Sequence, residues 1–508
     1  MIRVRFAPAP TGLLHLGNAR MAVLNALFAR HHGGIFVLRI DDTDTARCRP
    51  EYIQGIQDDL LWLGLHWDDM FAQSDRQEEH RSYFETLLKS GRIYPCFETA
   101  EQLDVLRKEQ LSKRLPPVYD RTKGQSATPH DAPYWRFALM DKEVCWDDAI
   151  QGSMRCQARH LSDPVVMRQD GSMSYLLSSV IDDVHANMTH ILRGADHLTN
   201  TTIQIQMMEA LDKPIPVWAH FPLMLDGQGE KFSKRTGSKT LQELRSEGWF
   251  PLAIVQALTQ LGLSRMVQGD FSEIASGFSL NEYSKSNAKF GIHDIEMNQS
   301  RLWAMTDWAH LSQSLQAQIC PELWLIIRDN IVHESDIGHW QGICQDSALT
   351  FPPSLDTSVP IDFFKTALKT LESSGALVQA PGLKNRPDGR DDTDGSVASD
   401  GQDDVGDEDD VAAADVWNGS NGSDGRDDVA AADNRGGASN LVWADDPWHL
   451  WIDAMVTLFP DLKKGSLCRA LRAALTGCPK GPKMDQLLPM MAPHCVMARI
   501  RFPNNTGF

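Results

Sequence analysis

Ile2, Val4 and Phe6 alternate with Arg3 and Arg5, the period-2 pattern of a strand with one buried face. Residues 18–31 then set Ala, Met, Val, Leu and Phe at helical spacing among strong helix formers. Gly33-Gly34 breaks that helix, and Phe36-Val37-Leu38-Arg39-Ile40 reads as a buried strand. Strand, helix and strand within about 40 residues form a βαβ unit and so predict a parallel sheet. From Leu302 onward the pattern is mainly helical, as in Phe363 to Leu377 and Trp448 to Phe459.

Residues 386–440 follow neither period. They hold fifteen Asp and one Glu against four Arg, with Trp417 almost alone as a large apolar residue. Asp409-Asp410-Val411-Ala412-Ala413-Ala414-Asp415 recurs from Asp427 to Asp433. Such a stretch cannot bury enough apolar surface to offset its ordering entropy, so a disordered acidic insertion is expected. It changes the meaning of the net charge: of the total of −19, the insertion carries −12 and the rest of the chain −7. An acidic total therefore does not exclude a nucleic-acid partner.

Length and composition narrow the class further. At 508 residues the chain predicts three or four domains. No run reaches the roughly 18–20 apolar residues that span a bilayer, and the first residues lack a secretory h-region, so a cytoplasmic protein without membrane contact is expected. Nine cysteines without a Cys-x-x-Cys pair fit a reducing compartment and buried thiols, and Cys96 has no Cys or His at ligand spacing; no metal site and no structural zinc are expected.

The candidate chemistry begins where the first strand ends. Ala7-Pro8-Ala9-Pro10-Thr11-Gly12 forms a tight turn, followed by His15-Leu16-Gly17-Asn18 at a helix start. Helix-start N–H groups favour phosphate, Gly17 allows close approach, and His15 can donate to phosphate oxygens as charge develops. Alone, such a histidine serves structure more often than catalysis. A second element lies far along the chain: Lys231-Phe232-Ser233-Lys234-Arg235 follows the turn-rich Leu225 to Glu230, a loop suited to clamping a triphosphate through Lys231 and Lys234. Near the C-terminus, Lys463, Lys464, Arg469, Arg472, Lys480 and Lys483 occur with no acidic residue from 463 to 483, a track for a polyanion.

Together the two elements resemble the paired motifs of class I aminoacyl-tRNA synthetases, His-Ile-Gly-His and Lys-Met-Ser-Lys-Ser. Arg5 to Gly12, Leu38-Arg39-Ile40-Asp41-Asp42-Thr43-Asp44, Tyr175 with Asp182-Asp183, and Ile191 to Thr201 are similar to the bacterial glutamyl branch, from Arg3 to about Leu263. Three positions depart from that branch: Ala9 stands for Ser, Asp41 for Glu, and Ala195 for an acidic residue.

The resemblance implies an α/β fold: a Rossmann-type catalytic domain (1–75 and 166–225) interrupted by an acceptor-end-binding insertion (76–165). A lysine loop and stem-contact domain (226–302) would follow, then an all-α anticodon-binding region (303–385 and 441–508) around the acidic insertion. It implies activation of L-glutamate by ATP with Mg²⁺ and transfer to tRNA(Glu), with tRNA(Gln) as a second candidate acceptor, by a monomer. His15, Lys231 and Lys234 would be catalytic. His15, Gly17, Asn18, Asp196, Leu223, Met224 and Lys234 would bind ATP. Arg5 would bind the γ-carboxylate, Arg193 a second carboxylate, Asp41 the α-ammonium, and Tyr175 would hydrogen-bond the amino acid. Lys463, Lys464, Arg469 and Arg472 would contact tRNA. The alternative is a catalytically silent tRNA-binding paralogue, which the presence of both motifs disfavours.

Overall fold

The structure is a computed structural model that describes residues 1–44, 46–114, 117–119, 121, 132–230, 239–345, 363–379, 441–460, 462–478 and 480–501. It contains two compact units, Met1–Gln316 with Arg328–Ile337, and Ala317–Ile327 with Gly338–Phe508. The acidic stretch 386–440 and the lysine segment 231–238 lie outside the described residues.

The first unit opens with β1 (Arg3–Phe6), α1 (Leu16–His31), β2 (Ile35–Ile40), α2 (Pro50–Trp62) and β3 (Asp69–Ala72). All three strands are parallel, in the order β1-β2-β3, with Arg5 opposite Val37 and Val37 opposite Asp69. The βαβ expectation holds here, with boundaries one or two residues from the sequence reading. Residues 19–29 of α1 are buried apart from Met21, and Val23, Leu24 and Leu27 are fully buried. A helix apolar almost all round must be covered on both sides. The sheet covers one side; helices Pro251–Gln260 and Phe271–Ser276 cover the other.

Next come α3 (Gln77–Lys89), β4 (Ile93–Cys96), α4 (Ala100–Ser112), β5 (Tyr134–Phe137), β6 (Glu143–Asp148), β7 (Gly152–Gln157) and β8 (Val165–Met167). Strands β4, β5 and β8 form a separate antiparallel sheet. At its end Glu98 accepts hydrogen bonds from Tyr119 (2.6 Å) and Tyr134 (3.1 Å), and Arg136 lies over both rings. Cys96 Sγ lies 3.3 Å from the same Tyr119 hydroxyl. Among the described residues no group of three or more His, Cys, Asp or Glu side chains could hold a metal ion.

The chain then returns through α5 (Tyr175–His185), β9 (His190–Gly194), α6 (Leu198–Ala210) and β10 (Val217–Phe221). Strand β10 pairs in parallel with β9 and, at one residue, with β6; β6 pairs antiparallel with β7. Thr189 joins the sheets: its N–H donates to Arg3 O at 3.0 Å, and its hydroxyl accepts from Arg3 N–H at 2.8 Å. The order is thus β3-β2-β1, then β9-β10. The order reverses between β1 and β9, and a doubly wound sheet binds ligands beyond its carboxyl ends at that reversal.

The second unit is mainly helical, with Pro321–Ile327, Phe363–Ser373, Pro447–Leu458, Lys464–Thr476 and Pro493–Arg501 as its longer helices. Trp451, fully buried, donates its indole N–H to Ala367 O at 2.9 Å. One sequence expectation needs correction. The helix from Phe363 stops at Ser373, because Gly375 takes a left-handed φ of 78°, and Leu377–Gln379 is a strand. That strand pairs antiparallel with Leu441–Trp443, with Gln379 opposite Leu441. The chain therefore leaves for residues 380–440 and returns from them at neighbouring points, the geometry at which a long insertion costs least. Among the described residues no helix is long and apolar enough to cross a membrane.

Candidate active site

At the reversal point lies a cavity of about 430 Å³, a size suited to small ligands. Its walls come from the turn after β1 (Arg5 to Ala9), the start of α1 (His15, Gly17, Asn18, Arg20), Tyr175 of α5, the end of β9 (Arg193, Gly194, Asp196) and the segment after β10 (Pro222 to Met224). Most residues singled out by the sequence thus share one wall system: His15, Gly17, Asn18, Asp196, Leu223, Met224, Arg5, Tyr175 and Arg193. Lys231 and Lys234 lie outside the described residues. Asp41 does not line the cavity.

His15 is the N-cap of α1, and its Nδ1 accepts the N–H of Gly17 at 3.1 Å. An imidazole that accepts at Nδ1 carries its proton at Nε2, so its remaining polar atom is a donor. Gly17 is required by contact, not by a left-handed backbone: a Cβ there would stand 2.9 Å from His15 Cε1 and 3.0 Å from Nδ1. The turn is tied to the far side of the lysine segment, since His15 bridges Thr240 and Leu241 N–H donates to Leu14 O at 3.0 Å. On the opposite wall Gly194 makes room for Asp196, whose Oδ1 would lie 2.6 Å from a Cβ at position 194.

The segment Leu223–Met224 offers less main chain than its length suggests. Leu223 N–H already donates to Asn287 Oδ1 (2.9 Å), and Leu223 O accepts from Ala288 N–H (3.2 Å). Leu225 O likewise accepts from Phe290 N–H at 2.8 Å. By strand alternation the main-chain groups of Met224 point to the other side, and Leu223 gives the cavity its side chain.

The cations fall into two kinds. Arg5 and Arg39 belong to a buried, neutral cluster with Asp41 and Asp183. Arg5 grips Asp183 through Nε (2.9 Å) and Nη2 (3.3 Å); Arg39 contacts Asp183 at 2.8 Å and grips Asp41 at 2.6 and 3.2 Å. Arg5 thus reaches the cavity with a carboxylate already on one edge, and Asp41 connects to it through Arg39 and Asp183. Burial pushes the Asp41 carboxyl up to about 6, against the opposing pull of Arg39. In Asp183 the cations prevail over burial, and its carboxyl lies below the usual range. The neighbouring Asp182 serves other partners, Gln73 (2.7 Å) and His80 (2.9 Å).

Arg193 is different. It is buried, and its four hydrogen bonds go to neutral acceptors: His220 Nε2 (3.1 Å), Gln204 Oε1 (2.7 Å), Thr201 Oγ1 (2.7 Å) and His197 O (3.3 Å). Burial lowers its pKa to about 10, so it stays charged at neutral pH. Among the described residues Arg20 likewise donates only to backbone oxygens, Pro222 O (2.8 Å) and Leu261 O (2.9 Å), and its Nε has no partner. Among the described residues neither arginine forms a direct ion pair, and a buried cation held only by neutral groups is expensive unless an anion arrives. The cavity is therefore built for negatively charged ligands.

The groups that support Arg193 were hard to find from sequence. His220 sits inside the apolar run Val217-Trp218-Ala219-His220-Phe221, and Asp148 stands in a different segment altogether. Only a polar residue misplaced in a buried strand pointed to them. In the second unit Lys463, Lys464 and Arg469 are exposed, with Lys464 paired to Asp453 at 2.9 Å. Arg472 is half-buried and turns to Pro482 O, so it does not share the exposed face of Arg469.

Comparison with known proteins gives a consistent result. Residues 1–297 match the family model for tRNA synthetases class I (E and Q), catalytic domain. A glutamate–tRNA ligase of Granulibacter bethesdensis is 34% identical over 510 residues, covering 98% of each chain. One from Gluconacetobacter diazotrophicus is 39% identical over 366 residues, covering 70% of this chain and 82% of its own. In three dimensions the chain is similar to a glutamate tRNA ligase from Elizabethkingia meningosepticum, crystallised with its amino acid. The TM-score is 0.66 with 22% identity over 99% of both chains, a likeness of fold.

Proposed function

The chain belongs to the glutamate–tRNA ligases among the class I tRNA synthetases, and from that premise we propose how its cavity carries out the reaction. The enzyme joins L-glutamate to tRNA using ATP. In our reading the α-carboxylate of glutamate attacks the α-phosphate of ATP, giving glutamyl-adenylate and pyrophosphate. The 3′-terminal ribose hydroxyl of tRNA then attacks the adenylate carbonyl and releases AMP. Reactions of this kind need positioning and charge stabilisation more than covalent help.

One observation carries the reading: Arg193, a buried cation bound only to neutral groups, lines the same cavity as His15 at the start of α1. Arg193 and the free edge of Arg5 would take the carboxylates of glutamate, a planar two-point contact that arginine makes well. Tyr175 would hydrogen-bond the amino acid, and Asp41, expected from the sequence at the α-ammonium but outside the cavity, would act through the cluster of Arg39, Asp183 and Arg5. ATP, as its magnesium complex, would lie along His15, Gly17 and Asn18, with its ribose and base near Asp196, Leu223 and the main chain of Met224. His15 would donate from Nε2 to phosphate oxygen. Lys231 and Lys234 retain their sequence-based reading as a phosphate clamp.

We assign segment 76–165 to the tRNA acceptor end, 226–302 to the stem, and the helical region 303–385 with 441–508 to the anticodon, with Lys463, Lys464 and Arg469 on the tRNA-facing side. The protein is read as a cytoplasmic monomer acting on tRNA(Glu). Charging of labelled glutamate onto separate tRNA(Glu) and tRNA(Gln) transcripts tests this. Labelling of the first alone makes the enzyme discriminating, labelling of both adds tRNA(Gln) as an acceptor, and labelling of neither refutes the catalytic reading.

A further inference from the structure

We infer that Asp148 fixes the tautomer of His220, that His220 in turn fixes the guanidinium orientation of the Arg193 anchor, and that this positioning relay sets the affinity for glutamate. The inference rests on the reading of Arg193 as a carboxylate partner. Arg193 Nε can only donate, and it meets His220 Nε2 at 3.1 Å. His220 Nε2 therefore bears no proton, and the ring proton sits on Nδ1. Nδ1 lies 2.5 Å from Asp148 Oδ2. The Thr201 hydroxyl contacts both Arg193 Nη2 (2.7 Å) and His220 Nε2 (3.0 Å), closing the arrangement. Trp218 flanks both partners: its ring stacks near the imidazole, and the guanidinium of Arg193 lies 4.7 Å from its centroid.

Asp148 cannot easily change its role. Its Oδ1 accepts the backbone N–H groups of Ile150 (3.1 Å), Gln151 (2.9 Å) and His220 (3.1 Å). Oδ2 is thereby left as the acceptor for the imidazole. His220 is fully buried and Asp148 nearly so, and burial holds the imidazole below its ordinary pKa, in its neutral form. A buried acid that selects a tautomer controls what the distant nitrogen can do. Here it makes that nitrogen an acceptor, the one form of the ring that can hold an arginine without neutralising it. A carboxylate in the place of His220 would hold Arg193 as well and cancel the charge that glutamate needs.

The test uses the intact enzyme and four single variants. In Asp148→Asn the three backbone donors keep Oδ1 as an acceptor, so the amide NH₂ faces His220 Nδ1. The imidazole must then move its proton to Nε2, against the N–H of Arg193. We expect the KM for glutamate in tRNA-dependent pyrophosphate exchange to rise about 10- to 100-fold, as when supporting groups of a binding residue are removed, while the KM for ATP holds. His220→Gln, which can still present an oxygen to Arg193, should lie nearer the native value than His220→Leu. Nitrogen-15 spectra of histidine-labelled enzyme should show His220 protonated at Nδ1 in the native protein and at Nε2 in Asp148→Asn. An Nε2-protonated or doubly protonated His220 in the native enzyme overturns the relay, whatever the fate of the variants. If Arg193→Ala raises the glutamate KM and folded Asp148→Asn does not, the relay alone falls. If Arg193→Ala leaves that KM unchanged, the reading of Arg193 falls and takes the relay with it.

Discussion

Gly17→Ala separates stability from chemistry at one atom. Gly17 is the second residue of α1, where alanine favours a helix over glycine by about 0.5–1 kcal/mol, so folding should not suffer. The added methyl would lie 2.9 Å from His15 Cε1 and 3.0 Å from Nδ1, about half an ångström inside ordinary contact. The helix backbone fixes where that methyl stands, so the imidazole has to move. It then loses the 3.1 Å bond from Gly17 N–H that fixes its tautomer. If His15 is a donor to phosphate in the transition state, its displacement should cost what one such donor is worth: about 10²- to 10³-fold in rate, or roughly 3–4 kcal/mol of barrier. The assay is tRNA-dependent ATP–pyrophosphate exchange at saturating glutamate, paired with a melting curve. An unchanged or higher Tm with a strongly reduced exchange rate is expected. Exchange at the native rate would refute the argument, because the methyl cannot be accommodated with His15 in place.

Three further outcomes are open to measurement. Asp59 of α2 is 1% exposed, its Oδ2 has no hydrogen-bond partner among the described residues, and burial pushes its carboxyl up to about 7. A folded pKa above the unfolded value of about 3.9 means that stability falls as pH rises from about 4 to 7. Asp59→Asn should therefore raise the Tm at pH 8, by the equivalent of about 2–4 kcal/mol, and much less at pH 4; parallel Tm curves for the two proteins would contradict this. Asp41, with its carboxyl at about 6, must be ionised to balance Arg39 in the cluster that holds Arg5, so kcat/KM for glutamate should fall as pH drops through 6, and Asp41→Asn should flatten that limb of the profile. Lys463→Glu with Arg469→Glu should weaken tRNA binding and make log K fall less steeply with log salt, by a slope of about one per phosphate no longer neutralised, whereas Arg472→Ala, which removes a bond to Pro482 O, should act mainly on the Tm.

The sequence by itself determined a good deal of this protein. Period and punctuation located β1, α1 and β2, because strand alternation, helical spacing and a Gly-Gly break are local properties of the chain. The turn before His15 and the helix start at Gly17 were legible for the same reason, since a proline-glycine turn and a run of helix formers are local too. The charge of −12 on residues 386–440 was equally plain. Whether an arginine is already matched or still available was not. Arg5 and Arg193 look alike in sequence, yet Arg5 is matched by Asp183, 178 positions away, and Arg193 is held by neutral groups. Nor could the chain show that Asp148 meets His220, or that Arg472 turns away from its neighbour Arg469 toward Pro482. Electrostatic balance depends on distances across the fold and on the loss of water around each group, and only tertiary structure sets either.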